Sequence, residues 1–420
     1  MKFKLIHALA MASLMTTFSS CSNDDPIAPG SSLEEKTYTG TDGLSISLNG
    51  TSLIGKVATF TPATDGTATV TLAGEPIEMD AIMGMITKAE HEQPTLALPT
   101  AGVLPGSSQL IIPVELKGDA DNCTFDGKGE TDYCTYFYSG AATAETFEFN
   151  LTDVKLKNTS LAGTWTLPEL YEINPDWGTE EANIYNVARV VWQSENGIEV
   201  MPGWPMPVES ILGMTLAIPM IGEGDNLISP IEMLTVVLKS VTFSEDGNVT
   251  AEYLDSKDMS KGVIKSPAGL AQYVITSEGN LRLFLNPAAI IANTVTATKS
   301  CATRAADISM IVESLMQQLI PMLSQGVPVS YGKALTDSEG NLNEDPDIMS
   351  FFLGTETLLP LLKAVSPLLA DEDFVNSIVE EARKDPNMGY MADMLPGILQ
   401  SLPEVINTTS KIEIGINLKK

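Results

Sequence analysis

Four tryptophans fall within 40 residues, Trp165, Trp177, Trp192 and Trp204, with Tyr171 and Tyr185 between them. Clustered rings of this kind can stack on sugars or line a ligand cavity, because each offers a large apolar face and a polar edge. The stretch "MPGWPMP" (201–207) holds Trp204 in a proline-stiffened loop, where the ring need not belong to a core. Trp177 and Trp204 are therefore expected to contact a ligand, whereas Trp165 and Trp192 are expected to pack inside. Methionines gather nearby, at Met201, Met206, Met214 and Met220, and flexible thioethers either adapt to an apolar ligand or fill an irregular core. Of these, Met201, Met206 and Met214 join the two tryptophans as the expected contact set.

Hydrolytic chemistry is poorly provided for. The chain has two histidines, His7 near the N-terminus and His91 in the polar loop "KAEHEQP", so Ser-His-Asp, Cys-His and histidine-rich zinc sites lack their central residue. A carboxylate pair could cleave glycosides, and Glu169, Glu172 and Asp176 lie among aromatics, yet 54 acids make such proximity ordinary. The loop "DSEGNLNED" sets Asp337, Glu339, Asn341, Asn343 and Asp345 at alternating positions, as a calcium loop would. An EF-hand needs glycine at its sixth position, where Leu342 stands here, and the glutamate that closes the loop is missing. The same Glu/Asp-Gly-Asn turn recurs elsewhere without the ligands, so a turn is the simpler reading. The expectation is a non-enzymatic binding protein with no catalytic residues, no metal and no cofactor.

The net charge is −30, from 24 basic and 54 acidic residues, which repels nucleic acid and bare anionic membrane. Hydrophobic residues form 44% of the chain, enough for real cores, and 420 residues exceed what one core usually organises. Two domains are expected.

Residues 1–20 carry Lys2 and Lys4, an apolar run from Leu5 to Met15, and the small pair Ser19-Ser20. That is the pattern of an export signal, too short to span a bilayer. Cys21 follows directly, and the arrangement resembles the lipobox of bacterial lipoproteins, with Phe18 where leucine is common. The resemblance implies that Cys21 is acylated and anchors the chain to a membrane. Ser22-Asn23-Asp24-Asp25 is similar to the acidic signal that sends such lipoproteins to the outer face of the outer membrane, the expected location. Residues 21–36 read as a polar tether.

From residue 37 the chain alternates like strands: "GLSISLNG", "KVATFTP", "TATVTLAG", "QLIIPVELKG", "CTYFYSG" and "TFEFNLTDVKLKN". A short helix is expected over 75–86. The first domain, a small antiparallel barrel or sandwich, is expected to span 37–158 and the second 159–420. Cys123 and Cys134 flank a glycine-rich turn on adjacent strands, so register decides whether they form a disulfide. Cys301 has no evident partner. The hairpins "VTFSEDGNVTAEYL" and "YVITSEGNLRLFL" point to a meander in the second half. A helical insertion is expected over about 305–405: first a helix after Asp307, with Ile308, Ile311, Val312, Leu315, Met316, Leu319 and Ile320 on one face, then helices at 356–369, 371–385 and 388–402. The alternating "SKIEIGINL" (410–418) should close the domain as a strand.

In "NTSLAGTWTL" (158–167), Gly163-x-Trp165 at the head of a strand resembles the opening of lipocalins and other calycins, in which this tryptophan plugs the barrel base. With "YTGTDGLSISLNG", "LPGSSQLIIPVELKG" and "GETDYCTYFYSG", the chain resembles surface lipoproteins of gut Bacteroidetes that carry calycin-like β-barrel domains. The resemblance implies two calycin-like antiparallel barrel or sandwich domains, mainly β, the second bearing the helical insertion. It implies no settled activity. The expected cargo is an apolar, lipid-like small molecule held between the second barrel and its helices. The alternatives are glycan capture through Trp177 and Trp204, and a structural or adhesive accessory without a small ligand. Oligomeric state is left open.

Overall fold

The structure is a computed structural model. It describes residues 28–78, 97–98, 100–170, 172–173, 181–201, 203–222, 227–255, 259–287, 289–290, 318–384 and 392–420. Cys21, Trp177, His91, Asp176 and Cys301 lie outside these residues, as do most of the expected helices at 75–86 and after Asp307.

The fold is mainly β. In the N-terminal half, β1 (Lys36–Thr39), β4 (Lys56–Pro62), β5 (Thr67–Gly74) and β8 (Gln109–Glu115) form one antiparallel sheet. A second sheet runs β3-β2-β12-β11-β10-β9, from β2 (Leu44–Leu48), β3 (Thr51–Ser52), β9 (Lys117–Gly118), β10 (Asn122–Glu130), β11 (Cys134–Thr143) and β12 (Phe147–Leu156), with β2 parallel to β12. Alternation along each strand buries one face: Ala58 and Phe60 on β4, Val70 and Leu72 on β5, Phe147, Phe149 and Leu151 on β12. The two faces meet through rings, Tyr38 and Phe60 from the first sheet lying 5.4 and 5.9 Å from Phe147 of the second. This half is a sandwich. A small paired segment, β6 (Ile77–Glu78) with β7 (Ala97–Leu98), stands where the start of the 75–86 helix was expected.

The cysteine pair does not form a disulfide. β10 and β11 are neighbours as expected, but their register sets Cys123 opposite Ala142 and Cys134 opposite Leu156 on β12. Both thiols are free and buried, and burial pushes both up from their ordinary acidity.

In the second half, ten strands form one antiparallel sheet. They are β13 (Gly163–Trp165), β16 (Ala188–Ser194), β19 (Leu238–Phe243), β20 (Asn248–Leu254), β21 (Val263–Lys265), β22 (Ala271–Ser277), β23 (Asn280–Leu285), β24 (Val327–Lys333), β25 (Ile348–Leu353) and β26 (Thr409–Lys419). Their order is β13-β19-β20-β22-β23-β24-β25-β26-β16, with β21 on β20. The hairpin turns read from Gly247 and Gly279 are present, both glycines holding positive φ. The sheet is not a closed barrel. Its first and later strands touch through an isolated bridge, Thr166 to Lys419, of two hydrogen bonds of 2.8 and 2.7 Å.

The inner face of this sheet is filled. Trp165 stands edge-on to Phe351 at 5.5 Å, Phe351 stacks on Phe243 at 5.4 Å, and Phe243 meets Tyr273 edge-on at 5.0 Å. Trp165 also donates its indole N–H to Leu161 O at 2.9 Å, which satisfies the polar edge of a buried ring. The buried cluster that holds these rings continues without interruption into the N-terminal sandwich.

Helices lie beside the sheet, among them α1 (Ile184–Val187), α2 (Val208–Ala217), α3 (Pro230–Val237), α4 (Thr355–Leu369), α5 (Glu372–Lys384) and α6 (Leu395–Asn407), and residues 318–325, within the helix expected after Asp307, are helical too. α4, α5 and α6 lie between β25 and β26, as an insertion closed by a strand should. The stretch expected to be helical from about 305 is nonetheless interrupted by β24 and β25, and the loop 334–347 that carries "DSEGNLNED" joins those two strands. α6 starts at Leu395, later than the sequence spacing predicts, with Pro396 in its first turn, where its missing N–H leaves no helical bond unmade.

Candidate ligand-contact surface

Two short strands, β17 (Ile198–Met201) and β18 (Trp204–Met206), form a hairpin beside the sheet. The two-stranded piece before β16 pairs β14 (Glu172–Ile173) with β15 (Glu181–Ala182). Ile198 is buried and packs with Val208 of α2 and Val405 of α6, so the hairpin is seated on both helices. Glu199 N–H donates to Ser401 Oγ at 3.1 Å, and Asn196 Nδ2 donates to Glu404 Oε1 at 3.0 Å, which ties it to α6. The turn needs glycine at Gly203, where φ is +79°, and Gly203 N–H donates to the Glu199 carboxylate at 2.7 Å.

A large ring is held outward by this frame. Trp204 is 65% exposed, the most exposed large hydrophobic residue among those described, next to exposed Pro205 and half-buried Met206. Met214 and Ile218 at the end of α2 are also exposed, at 43 and 39%. Met201 contributes its backbone to β17. Of the expected contact set, Trp204, Met206 and Met214 thus lie on the hairpin and the helix it leads into. The two tryptophans expected inside differ: Trp165 is in the core, whereas Trp192 is half-buried in the helix cluster, donating to Thr409 Oγ1 at 2.8 Å.

Among the described residues of the hairpin, α2, α6 and the turn leading into β17, the exposed charges are acidic. Glu195, Glu199 and Glu404 are exposed on the elements that meet there. Glu209 is engaged, accepting from Tyr185 Oη at 2.9 Å and from Trp192 N–H at 3.2 Å. Burial and this carboxylate together push the Tyr185 phenol far up.

Of the carboxylates considered for chemistry, Asp176 and the side chain of Glu172 lie outside what is described. Glu169 is exposed, and its carbonyl accepts from Asn186. In the 337–345 loop, Asp337 accepts from Glu339 N–H, Asn341 N–H and Asn341 Nδ2, bonds that hold its carboxyl below the usual range. Asp345 accepts from Asp347 N–H and Lys419 Nζ. Asp337 therefore serves the loop's own turn, and Asp345 also ties the loop to β26.

Two charged sites escaped the sequence reading. Lys56 is buried at the junction of the two halves and donates to Ala101 O at 2.9 Å and Gly102 O at 3.0 Å. Burial pulls its ammonium down to about 8. A cavity of about 10 Å³ beside it, lined also by Gln272 and Asn286, has room for a single water. The available signal was phase, since in "KVATF" Lys56 alternates inward with Ala58 and Phe60. Arg189 on β16 pairs with Glu413 on β26 at 2.7 Å and lies 4.3 Å over the Phe352 ring. No local pattern announces that pair, whose members are 224 residues apart.

Comparison with family models, with curated proteins and with solved structures finds no match for this chain.

Proposed function

We propose that the protein is a non-enzymatic binding protein, anchored by acylated Cys21 to the outer face of an outer membrane, that engages glycans through the Trp204 hairpin. The exposed indole of Trp204 carries this reading. Turning a tryptophan 65% outward while both helices under the hairpin are anchored leaves a rigid apolar face in solvent, beside a carboxylate that can accept hydroxyl hydrogen bonds. A pyranose offers both complements, an apolar face and a rim of hydroxyls. The rings packed inside the ten-stranded sheet fill its inner face, and the surface reading takes the place of the expected apolar ligand between that sheet and its helices because Trp204 stands outward. The likeness to calycin-like surface lipoproteins belongs to the same proposal. No described helix is long and apolar enough to cross a membrane, and the anchoring rests on the sequence around Cys21.

Affinity electrophoresis through gels containing polysaccharide tests the reading. Trp204→Ala should weaken retention at least about tenfold, equivalent to ~1.4 kcal/mol, while leaving the thermal midpoint unchanged because the ring is exposed. Equal retention of wild type and variant would remove Trp204 from the site. Metabolic labelling with a fatty acid, lost in Cys21→Ser, tests the anchor.

A further inference from the structure

The chemical class of the glycan follows from the charge around the hairpin. We infer that the Trp204 surface takes neutral glycans and excludes anionic ones, an inference that rests on the glycan reading above. Recognition of uronate, sulfate or sialate groups needs cations at the site, commonly arginine in bidentate contact. The hairpin, α2, α6 and β16 form its immediate surroundings. Between residues 181 and 237 the sequence has one basic residue, Arg189, and α6 has none. Arg189 is buried, with its guanidinium committed to Glu413 Oε2 and Lys333 O, and its plane on Phe352. Against this stand the exposed carboxylates of Glu195, Glu199 and Glu404.

An anionic polymer laid on Trp204 would meet these carboxylates with no available cation on the same elements, within a chain whose net charge is −30. A neutral pyranose faces no such repulsion. Its apolar face covers the indole, and its hydroxyls donate to the Glu199 carboxylate, which already turns toward the loop to accept from Gly203 N–H. Charge here selects by rejection, leaving contact energy to the ring.

The test uses the full chain in detergent, with Trp204→Ala alongside, in gels containing a glucan, a mannan, a xylan, polygalacturonate or chondroitin sulfate. The expected result is retention by at least one neutral polymer, insensitive to added salt and about tenfold weaker in Trp204→Ala, with none by the two anionic polymers. Retention by an anionic polymer that Trp204→Ala abolishes would overturn the inference while leaving the glycan reading intact. Retention by no polymer, or retention indifferent to Trp204→Ala, would overturn the glycan reading and the inference with it.

Discussion

Lys56 is a charge placed where the alternation of a strand calls for an apolar residue. Its ammonium donates to two neutral carbonyls, and burial lowers its affinity for a proton. Below pH 8 it is charged in both the folded and unfolded states, and the folded protein bears the full cost. Between about 8 and the ordinary value of 10.5 the unfolded chain keeps a proton that the folded protein has released. Stability contributed at this site therefore rises with pH across that window, by at most about 3 kcal/mol. Urea unfolding of wild type and Lys56→Met at pH 7.5 and 10 should show wild type gaining on the variant at the higher pH. Parallel changes would mean that the two carbonyls hold the ammonium charged. At this scale the sequence was readable where phase and residue type agree, as for Trp165. It was silent on Arg189 and Glu413, because a pair made across strands depends on register.

Elements were legible where turn chemistry marks their ends. Gly247 and Gly279 announced their hairpins, and the insertion between β25 and β26 was visible from helical periodicity followed by a closing strand. Register was not legible, which is why Cys123 and Cys134 were placed on neighbouring strands without being brought together. Gly415 shows what register decides. In "SKIEIGINL" it is only a gap in the alternation; in the sheet it lies opposite both Arg189 and Phe352. Its missing side chain admits the guanidinium and ring that meet across it, and a Cβ there would lie 2.1 Å from Phe351 O and 2.5 Å from Phe352 Cβ. Gly415→Ala should cost about 1–3 kcal/mol by overpacking, read as a lower urea midpoint at unchanged slope. A midpoint equal to wild type would show that β25 and β26 can part without loss.

On the scale of the whole molecule, length argued for two domains, yet the buried cluster runs through both halves. Leu156 N–H donates to Glu245 O at 2.7 Å and Asn286 Nδ2 to Ile54 O at 3.0 Å, bonds that cross between the halves alongside Lys56. Calorimetry should therefore show one cooperative transition for the two β assemblies together, with equal calorimetric and van't Hoff enthalpies. Two resolved transitions would mean that the halves fold as separate units. Among the described residues one tryptophan is exposed, Trp204 on a braced hairpin, and the proposed binding lies on the outside of the fold. Acrylamide quenching of tryptophan fluorescence tests that assignment most directly, with Trp204→Phe subtracted to isolate the one ring. Saturating neutral oligosaccharide should shield the Trp204 component from quencher and leave the remaining emission unchanged; an equally quenchable Trp204 in the presence of a bound glycan would contradict the account.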